Sequence, residues 1–301
     1  MSTHLAAFDR HRRLLFSVAY QMLGSVADAE DVVQDTWLRW SAADRGEVMD
    51  PRAYLVQITT RLALDRMGSA RARRENYVGP WLPEPLLTGG APVASAPQAP
   101  EPEDAAELGE QVSLALLVVL ETLSPAERAV FVLREAFGMS TAEVAAALGR
   151  SEAAVRQMTH RAKEHVHARQ PRFDTDRAAQ REVTERFLAA VAGGDVEELL
   201  AALAPDVVLV SDGGGRTRAA LRPITGSEKV ARWLVGVAQQ GAGIPDLRIE
   251  LAEVNGSPAI VGWSGRDPFG SICLTVADGR IEQVLVVVNP DKLAGLVVTR
   301  P

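Results

Sequence analysis

Residues 140–162 read STAEVAAALGRSEAAVRQMTHRA, and this stretch decides the class of one domain. Ser140 and Glu143 have the Ser-x-x-Glu spacing of a capping box, which predicts that a helix begins there. That helix ends at Gly149, and Ser151 caps a longer helix with one apolar stripe, formed by Val155, Met158, Ala162 and Val166. Two helices joined by a tight turn that contains glycine predict a helix-turn-helix.

The side of the second helix opposite this stripe is expected to face solvent. It carries arginine and glutamine, which make bidentate contacts with base edges in the major groove, and a helix N-terminus, which holds a phosphate. The candidate DNA contacts are Ser151, Ala153, Arg156, Gln157, His160 and Arg161. A solvated face on an ordinary bundle helix would show the same pattern, so the residues alone leave both interpretations open.

Another helical segment precedes it. Ser25 and Asp28 mark a helix start, and the segment continues to Trp40 without proline or glycine. Asp50-Pro51 supplies a cap and a first-turn proline for the next helix, which we expect to end near Gly68. Apolar residues recur at helical spacing in it, at Leu55, Ile58 and Leu62.

Arginines cluster towards the end of that helix, where they can neutralise phosphates. The cluster comprises Arg61, Arg66, Arg71, Arg73 and Arg74. Tyr54 and Tyr77 are aromatic rings on which unpaired bases can stack. A solvated cationic helix end is the alternative.

Residues 76–110 contain no lysine or arginine and six acidic residues. Alanine, glycine and proline dominate residues 88–106, a composition that buries too little apolar surface to fold. We therefore predict a linker. Its opening contains Trp81, and a tryptophan normally has something to pack against.

The periodicity changes in the C-terminal part. Residues 177–204 are predicted to be helical with a break at Gly193-Gly194, and Asn255-Gly256 and Asp278-Gly279 predict two-residue hairpin turns. The predicted strands are Val207–Val210, Arg248–Val254, Ala259–Trp263, Ile272–Ala277 and Ile281–Val288. Helices followed by an antiparallel sheet predict an α+β domain.

Composition excludes several classes of protein. The chain has 301 residues, of which 47% are apolar, so it can bury cores, and its one cysteine, Cys273, excludes a disulfide framework. We expect Cys273 to be a buried small residue in a strand. No apolar run approaches the length of a membrane helix and no signal-peptide core is visible, so we expect a cytoplasmic protein. The net charge of −7 is concentrated in the linker and the C-terminal part, whereas both helical segments are mildly basic.

Several of these stretches resemble one family. Residues 20–24 (YQMLG) and 27–40 (ADAEDVVQDTWLRW) resemble the polymerase-binding helices of extracytoplasmic-function (ECF) sigma factors. Residues 50–65 resemble the segment of that family that engages the −10 promoter element. Residues 123–128 (LSPAER) and 143–156 resemble its fourth region, which reads the −35 element.

The resemblance implies two partners, core RNA polymerase and promoter DNA. The implied polymerase contacts are Asp28, Glu30, Asp31, Val33, Gln34, Asp35, Trp37 and Leu38. The implied −10 contacts are Tyr54, Arg61, Asp65, Arg66, Arg71, Arg73 and Arg74. The implied −35 contacts are the candidate residues of the helix-turn-helix given above.

The rest of the chain resembles a subgroup in which a SnoaL-like domain follows the fourth region. Its signatures are Trp81-Leu82-Pro83-Glu84-Pro85, Asp212-Gly213-Gly214-Gly215-Arg216 and Asn289-Pro290-Asp291-Lys292-Leu293. The resemblance implies regulation in cis by that domain. We expect Trp81 to dock into the C-terminal domain, with Asp291, Lys292 and Arg216 supplying charged hydrogen bonds. A loop at the glycines and a turn at Asn289 are the alternative interpretation.

The expected architecture is therefore multidomain: two all-α helical domains, the second with a helix-turn-helix, followed by an α+β SnoaL-like domain with a cone-shaped sheet. The expected boundaries are residues 1–75 for the first helical domain, 76–109 for the acidic linker, 110–173 for the helix-turn-helix domain and 174–301 for the SnoaL-like domain.

Catalysis is not expected. Some SnoaL-like proteins transfer protons with aspartate and histidine, but residues 174–301 contain no histidine, which leaves Asp212 and Asp267 as candidate bases. This favours a regulatory or ligand-sensing domain. We expect a sigma factor that is monomeric when free, without cofactor or metal, with an unknown small ligand in the C-terminal domain as a further partner. A SnoaL-like enzyme with a DNA-binding module and a repressor that binds operators unaided are the alternatives.

Overall fold

The computed structural model describes residues 3–42, 48–88, 112–169, 176–241 and 243–297. These residues form two compact units. The first contains the described residues up to 76, residue 112 and residues 116–169. The second contains residues 77–88, 113–115 and the described residues from 176 onward. Most of the predicted linker, from residue 89, lies outside the described residues.

The first unit is helical. Its elements are α1 (Thr3–Leu23), α2 (Val26–Ala42), α3 (Pro51–Glu75), α4 (Leu114–Leu120, whose first two residues belong to the second unit), α5 (Pro125–Phe131), a π-helical turn (Val132–Ala136), α6 (Thr141–Leu148) and α7 (Glu152–Arg169).

Local sequence signals account for the helix ends. Asp50 caps α3 by accepting a hydrogen bond of 3.0 Å from the Ala53 amide. The capping box predicted at Ser140 is confirmed, and Gly149 ends α6 with φ of 61°. A second capping box, formed by Ser124 and Glu127, begins α5. The predicted end of α3 near Gly68 is wrong, because the helix continues to Glu75. A glycine inside a helix costs only about 1 kcal/mol, and no proline follows to stop the helix.

Helices α1, α2 and α3 pack against one another around buried Leu15, Val32, Trp40 and Leu55. Helix α3 also packs against α5 and α6. The two helical segments, predicted as separate domains, thus share one compact unit.

The second unit combines helices with one sheet. Its elements are α8 (Arg177–Gly193), α9 (Val196–Ala202), β1 (Leu203–Asp212), β2 (Ile224–Thr225), α10 (Ser227–Gly241), β3 (Leu247–Val254), β4 (Ser257–Ser264), β5 (Asp267–Ala277), β6 (Arg280–Val287) and two 3-10 turns (Pro290–Lys292 and Ala294–Leu296).

The sheet has the strand order β2-β1-β6-β5-β4-β3. Its hairpin turns at Asn255-Gly256 and Asp278-Gly279 are confirmed, with positive φ at all four residues as a type I′ turn requires. The prediction of a purely antiparallel sheet is wrong, because β1 pairs with β6 in parallel. The chain between these two strands is long enough for the crossover that a parallel pair needs.

Helices α8, α9 and α10 cover one face of the sheet. Phe187, Leu199 and Leu234 from the helices form one apolar cluster with Leu209 and Val284 from the strands. The α+β architecture is confirmed. Helix α10 was not predicted, although Val230, Ala231 and Leu234, its buried residues, recur at helical spacing. None of the helices in the described ranges is long and apolar enough to cross a bilayer.

Candidate functional site

Helix α2 presents one continuous exposed stripe, which we call the α2 stripe: Asp31, Gln34, Asp35 and Leu38. These residues follow the i, i+3, i+4, i+7 spacing of one helix face. Leu38 is 56% exposed, which is unusual for a large apolar side chain. The stripe combines negative charge with an apolar end, and it is suited to a partner that is basic and partly apolar.

The other residues predicted to bind polymerase are placed differently. Val33 is 2% exposed and belongs to the core of the helical unit. Glu30 pairs with Arg12 at 2.7 Å, and the Trp37 ring lies 5.1 Å from that of Phe8. The family resemblance implied Val33 as a polymerase contact, whereas in the structure its side chain packs inside the helical unit.

Arg66 of α3 lies against the acidic residues of α2. Its Nε donates to Asp28 at 3.0 Å, Nη2 donates to Asp31, and Nη1 lies 4.0 Å from an Asp35 oxygen. This arginine was predicted to contact DNA. In the structure all three of its nitrogens face carboxylates.

The predicted −10 segment of α3 contacts the first helix of the helix-turn-helix. Gln57 Nε2 donates to the carbonyl of Ala146 at 2.8 Å, and Arg61 Nε donates to that of Ala147 at 3.1 Å. Both acceptors lie in the last turn of α6, the end of a helix that carries partial negative charge and attracts cations. The Tyr54 ring lies 5.9 Å from that of Trp40, and Asp65 is exposed.

The last arginine of α3 takes part in a charged cluster inside the helical unit. Arg74 donates to the Leu23 carbonyl at 2.6 Å and to Glu121, which also accepts from Arg128. Arg128 is 1% exposed and donates to the Gln21 carbonyl at 3.0 Å. Burial lowers the pKa of Arg128 to about 9. The side chains of the predicted contacts Arg71 and Arg73 lie outside the described residues.

The predicted −35 face of α7 is open to solvent. The apolar stripe of α7 is buried as predicted. Ser151, Ala153, Arg156, Gln157, His160 and Arg161 are all exposed. Arg156 pairs with Glu152 at 3.1 Å and Arg161 with Glu127 at 3.4 Å, and both arginine side chains are more than half exposed.

In the second unit, Asp212 is the centre of a buried cluster. It ends β1, is fully buried, and accepts four hydrogen bonds through its carboxylate. Oδ1 accepts from the Tyr77 hydroxyl at 2.6 Å and the Gly214 amide at 3.1 Å. Oδ2 accepts from the Leu82 amide at 2.8 Å and from Lys292 at 2.7 Å. Two of these donors come from the chain around Trp81, so Asp212 fastens that chain to the domain.

Lys292 completes the cluster, which we call the docking cluster: Tyr77, Trp81, Asp212, Asn289 and Lys292. The Lys292 ammonium donates to the Leu82 carbonyl at 2.6 Å. It lies 4.0 Å from the centroid of the Trp81 ring and 4.7 Å from that of Tyr77, both within cation–π range. The buried ammonium is thus satisfied by a carboxylate, a carbonyl and two aromatic faces.

The Tyr77 hydroxyl also accepts a hydrogen bond of 2.7 Å from the Asn289 amide. Burial is the main factor that raises the pKa of Tyr77 above its ordinary value, and the hydrogen bond to the Asp212 carboxylate adds to it. Tyr77 was predicted as a base-stacking residue, and its role in the docking cluster was not predicted. Its position four residues before Trp81 was the available signal.

The glycine run after Asp212 allows close approach of the backbone. Gly214 has φ of 57°, and a Cβ there would lie 2.7 Å from the Asn289 Cγ and 2.9 Å from the Tyr77 hydroxyl. Gly215 has φ of 70°, and a Cβ there would lie 3.2 Å from Val78. Side chains at these positions would occupy the space that the linker fills.

The docked segment continues along the sheet edge to residue 88. The Leu86 amide donates to the Asn255 side chain at 3.0 Å, and the Asn255 amide donates to the Leu86 carbonyl at 2.8 Å. Leu87 forms a bridge with Val254, and the Thr88 amide donates to the Glu253 carbonyl at 2.8 Å. Residues 77–88 are therefore part of the second unit. We call these twelve residues the docked linker.

The remaining residues of the three signatures surround this segment. Leu82, Pro83, Glu84 and Pro85 are buried, as are Gly213 and Leu293. Arg216 pairs with Asp291 at 2.9 Å, and both side chains are about 60% exposed. Pro290 opens the 3-10 turn that carries Lys292, and Asn289 caps it. Asn255, which exchanges two hydrogen bonds with Leu86, lies outside all three signatures, and its contact with the linker was not predicted.

The residues considered for catalysis do not form a catalytic arrangement. Asp212 is enclosed by its four donors, and Asp267 is exposed at the start of β5. Cys273 is buried, and burial raises the pKa of its thiol to about 12. A cavity of about 20 Å³ lies beside Gln180, Ser257, Cys273 and Thr275, which is room for about one water molecule.

Comparison with protein families gives three matches along the chain. Residues 7–73 match sigma-70 region 2, residues 113–166 match sigma-70 region 4, and residues 184–284 match the SnoaL-like domain. The first two contain the α2 stripe and the α7 face, and the third contains most of the sheet.

Two relatives from Mycobacterium tuberculosis align with nearly the whole chain. The ECF RNA polymerase sigma factor SigJ is 40% identical, covering 97% of this chain and 93% of its own length. The probable ECF RNA polymerase sigma factor SigI is 32% identical, covering 96% and 94%. The crystal structure of SigJ superposes with a TM-score of 0.74 at 38% identity, over 97% of this chain and 98% of that one.

Proposed function

The chain belongs to the ECF RNA polymerase sigma factors with a fused SnoaL-like domain, and we propose that its docked linker regulates it in cis. As a sigma factor it binds core RNA polymerase and promoter DNA and initiates transcription, without being an enzyme itself. We assign it to the cytoplasm, where the polymerase acts.

The α2 stripe is the proposed polymerase contact. Its acidic residues attract a basic surface, and Leu38 provides an apolar contact whose burial is favourable on binding. Val33 is excluded from the contact because it is already buried in the helical unit.

The α7 face is the proposed −35 contact. Arg156 and Gln157 are exposed on one side of the helix and have the donor geometry for purine edges in the major groove. Nothing in the described part of the first unit covers these two side chains beyond the Glu152 pair of Arg156.

The −10 segment of α3 is less accessible to DNA than the α7 face. Gln57 and Arg61 donate to α6 carbonyls, and a promoter strand needs the same donors. We therefore assign two steps to promoter recognition: the open α7 face engages duplex first, and α6 then leaves α3 so that Arg61 and Tyr54 reach unpaired bases.

The docked linker opposes that second step. Docking holds residues 77–88 on the second unit, so these twelve residues do not contribute to the span between α3 and the helix-turn-helix segment. Release of the docked linker would lengthen the connection between the two DNA-binding segments by about twelve residues, or about 40 Å of extended chain. Separation of the two DNA-binding parts then becomes easier. The observation that carries this proposal is the burial of Lys292 between Trp81 and Asp212.

Run-off transcription with purified core polymerase tests the sigma activity. The template is a promoter fragment selected by the holoenzyme from a random-sequence library. We expect transcripts from one start site that require both the chain and core polymerase. Tight binding of the selected fragment without polymerase, and no transcript with it, would instead support a repressor.

Ligand sensing has weaker support. The cavity beside Cys273 has a volume of about 20 Å³, which is too small for an organic ligand. The face of the sheet under α8, α9 and α10 is filled by the apolar cluster around Phe187.

A further inference from the structure

We infer that Arg66 is a positioning residue for polymerase binding, which holds the acidic side of α2 in place and makes no contact with promoter DNA. The inference rests on the proposed role of the α2 stripe. It begins from the geometry of one guanidinium placed against three carboxylates on the neighbouring helix.

Each nitrogen of Arg66 faces a different aspartate. Nε donates to Asp28 at 3.0 Å, Nη2 donates to Asp31, and Nη1 lies 4.0 Å from Asp35. The three aspartates occupy positions i, i+3 and i+7 of α2, so they lie in one row along the helix. A planar guanidinium has the fork geometry to bridge such a row, whereas a lysine ammonium is a single point charge.

The charges around Arg66 disfavour a phosphate. Three carboxylates and one guanidinium leave a net charge of −2 at this position. A phosphate that approached Arg66 would come close to all three carboxylates, and their combined repulsion would exceed the attraction of one cation. Arg61 differs, because its partners are neutral carbonyls that a phosphate can replace.

The same charges favour a basic protein surface. Asp31 and Asp35 are 56% and 50% exposed, so each has oxygen atoms free for an incoming cation while Arg66 holds its other side. Without Arg66 the three like charges repel one another and their side chains sample more rotamers. Binding would then have to order them, at a cost in affinity.

The test compares Arg66→Lys and Arg66→Gln with wild type in the full chain. The first measurement is affinity for core polymerase, by fluorescence anisotropy. We expect both variants to lose affinity for core polymerase roughly fivefold, because neither side chain can bridge the three aspartates. Lysine keeps the positive charge but lacks the planar fork of the guanidinium. Arg10→Lys is the matched control: Arg10 is exposed on α1, and none of the ion pairs between described residues includes it. It should bind as wild type does.

The second measurement is the salt dependence of promoter binding by holoenzyme assembled at saturating variant. We expect the slope of log K against log [KCl] to be unchanged in both variants. A DNA contact at Arg66 would lower the slope by about 0.7–0.9 in Arg66→Gln and spare Arg66→Lys, and that result would overturn the inference. A purely structural role would lower the thermal midpoint and both affinities together, which would also overturn it.

Leu38→Ala separates this inference from the proposed function. If Leu38→Ala leaves polymerase affinity unchanged, the α2 stripe is not the polymerase contact, and the proposed surface fails. If Leu38→Ala weakens binding and Arg66→Lys does not, the surface stands and only the positioning role of Arg66 is rejected.

Discussion

The Lys292 ammonium donates to the Asp212 carboxylate at 2.7 Å, and both side chains are almost completely removed from solvent. Lys292 lies in a 3-10 turn near the C-terminus and Asp212 at the end of β1, so this contact joins two of the three signature segments. The third segment, around Trp81, closes over it.

Lys292→Met should destabilise the second unit by about 3–5 kcal/mol, because it leaves the buried Asp212 carboxylate without its counter-ion. Urea denaturation followed by tryptophan fluorescence measures the change. Arg216→Ala is the control, since it removes an ion pair with Asp291 whose members are about 60% exposed. That pair should contribute about 0–1 kcal/mol. Equal losses in the two variants would contradict the assignment of Asp212 and Lys292 as the buried anchor.

Gly214→Ala should weaken docking of the linker. A Cβ at this position overlaps the Asn289 side chain, in addition to the strain of alanine at φ of 57°. We expect a loss of about 2–4 kcal/mol from both effects. Gly265→Ala isolates the strain, because Gly265 has φ of 61° and a Cβ there would meet no atom within 4 Å, and it should cost about 1–2 kcal/mol. Limited proteolysis after Tyr77 or Leu82 reports release of the linker. Equal protection in both variants would argue against the steric reason.

Stability of the docking cluster should fall at alkaline pH. The folded protein raises the pKa of the Tyr77 hydroxyl above its unfolded value of 10.0, so the folded state holds this proton more tightly. The contribution of Tyr77 to the free energy of unfolding is therefore complete below pH 10, and it is lost as the pH rises through and beyond 10. The unfolding midpoint of wild type and Tyr77→Phe should be compared between about pH 8 and pH 11. The variant should show the smaller decline, and parallel curves would exclude Tyr77 as the source.

Holding α6 against α3 should block the −10 segment and spare the −35 face. Cysteines at Gln57 and Ala146, in a Cys273→Ser background, can be joined by a short cross-linker that dithiothreitol cleaves. The joined protein should bind −35 duplex as wild type does and yield few transcripts, and cleavage should restore them. Each single-cysteine variant treated in the same way is the control. Full transcription by the cross-linked protein would show that Arg61 need not leave the α6 carbonyls.

Local elements could be predicted from the sequence because their causes are local. The capping box at Ser140 and the turns at Asn255 and Asp278 need only neighbouring residues, and all three are confirmed. The parallel pairing of β1 with β6 and the length of α3 depend on packing and chain return, and both were predicted wrongly.

The candidate site shows the same division. Motif resemblance placed Trp81, Asp212 and Lys292 in three signatures of one subgroup. The hydrogen bond between Tyr77 and Asp212 spans 135 residues, so no local pattern pairs these two side chains. The exposed face of α7 could be predicted, because its apolar stripe fixes which side of the helix is buried. The pairing of Arg66 with α2 does not follow from spacing, because it depends on how two helices pack.

Promoter-specific transcription by Trp81→Ala tests regulation by the docked linker most directly. The variant keeps the Asp212–Lys292 pair and removes the aromatic face that covers it, so the domain should stay folded while the linker is released. At saturating core polymerase we predict severalfold more transcript than wild type, with Trp81→Phe close to wild type. Transcript equal to wild type from a Trp81→Ala protein whose linker is shown by proteolysis to be released would contradict the account.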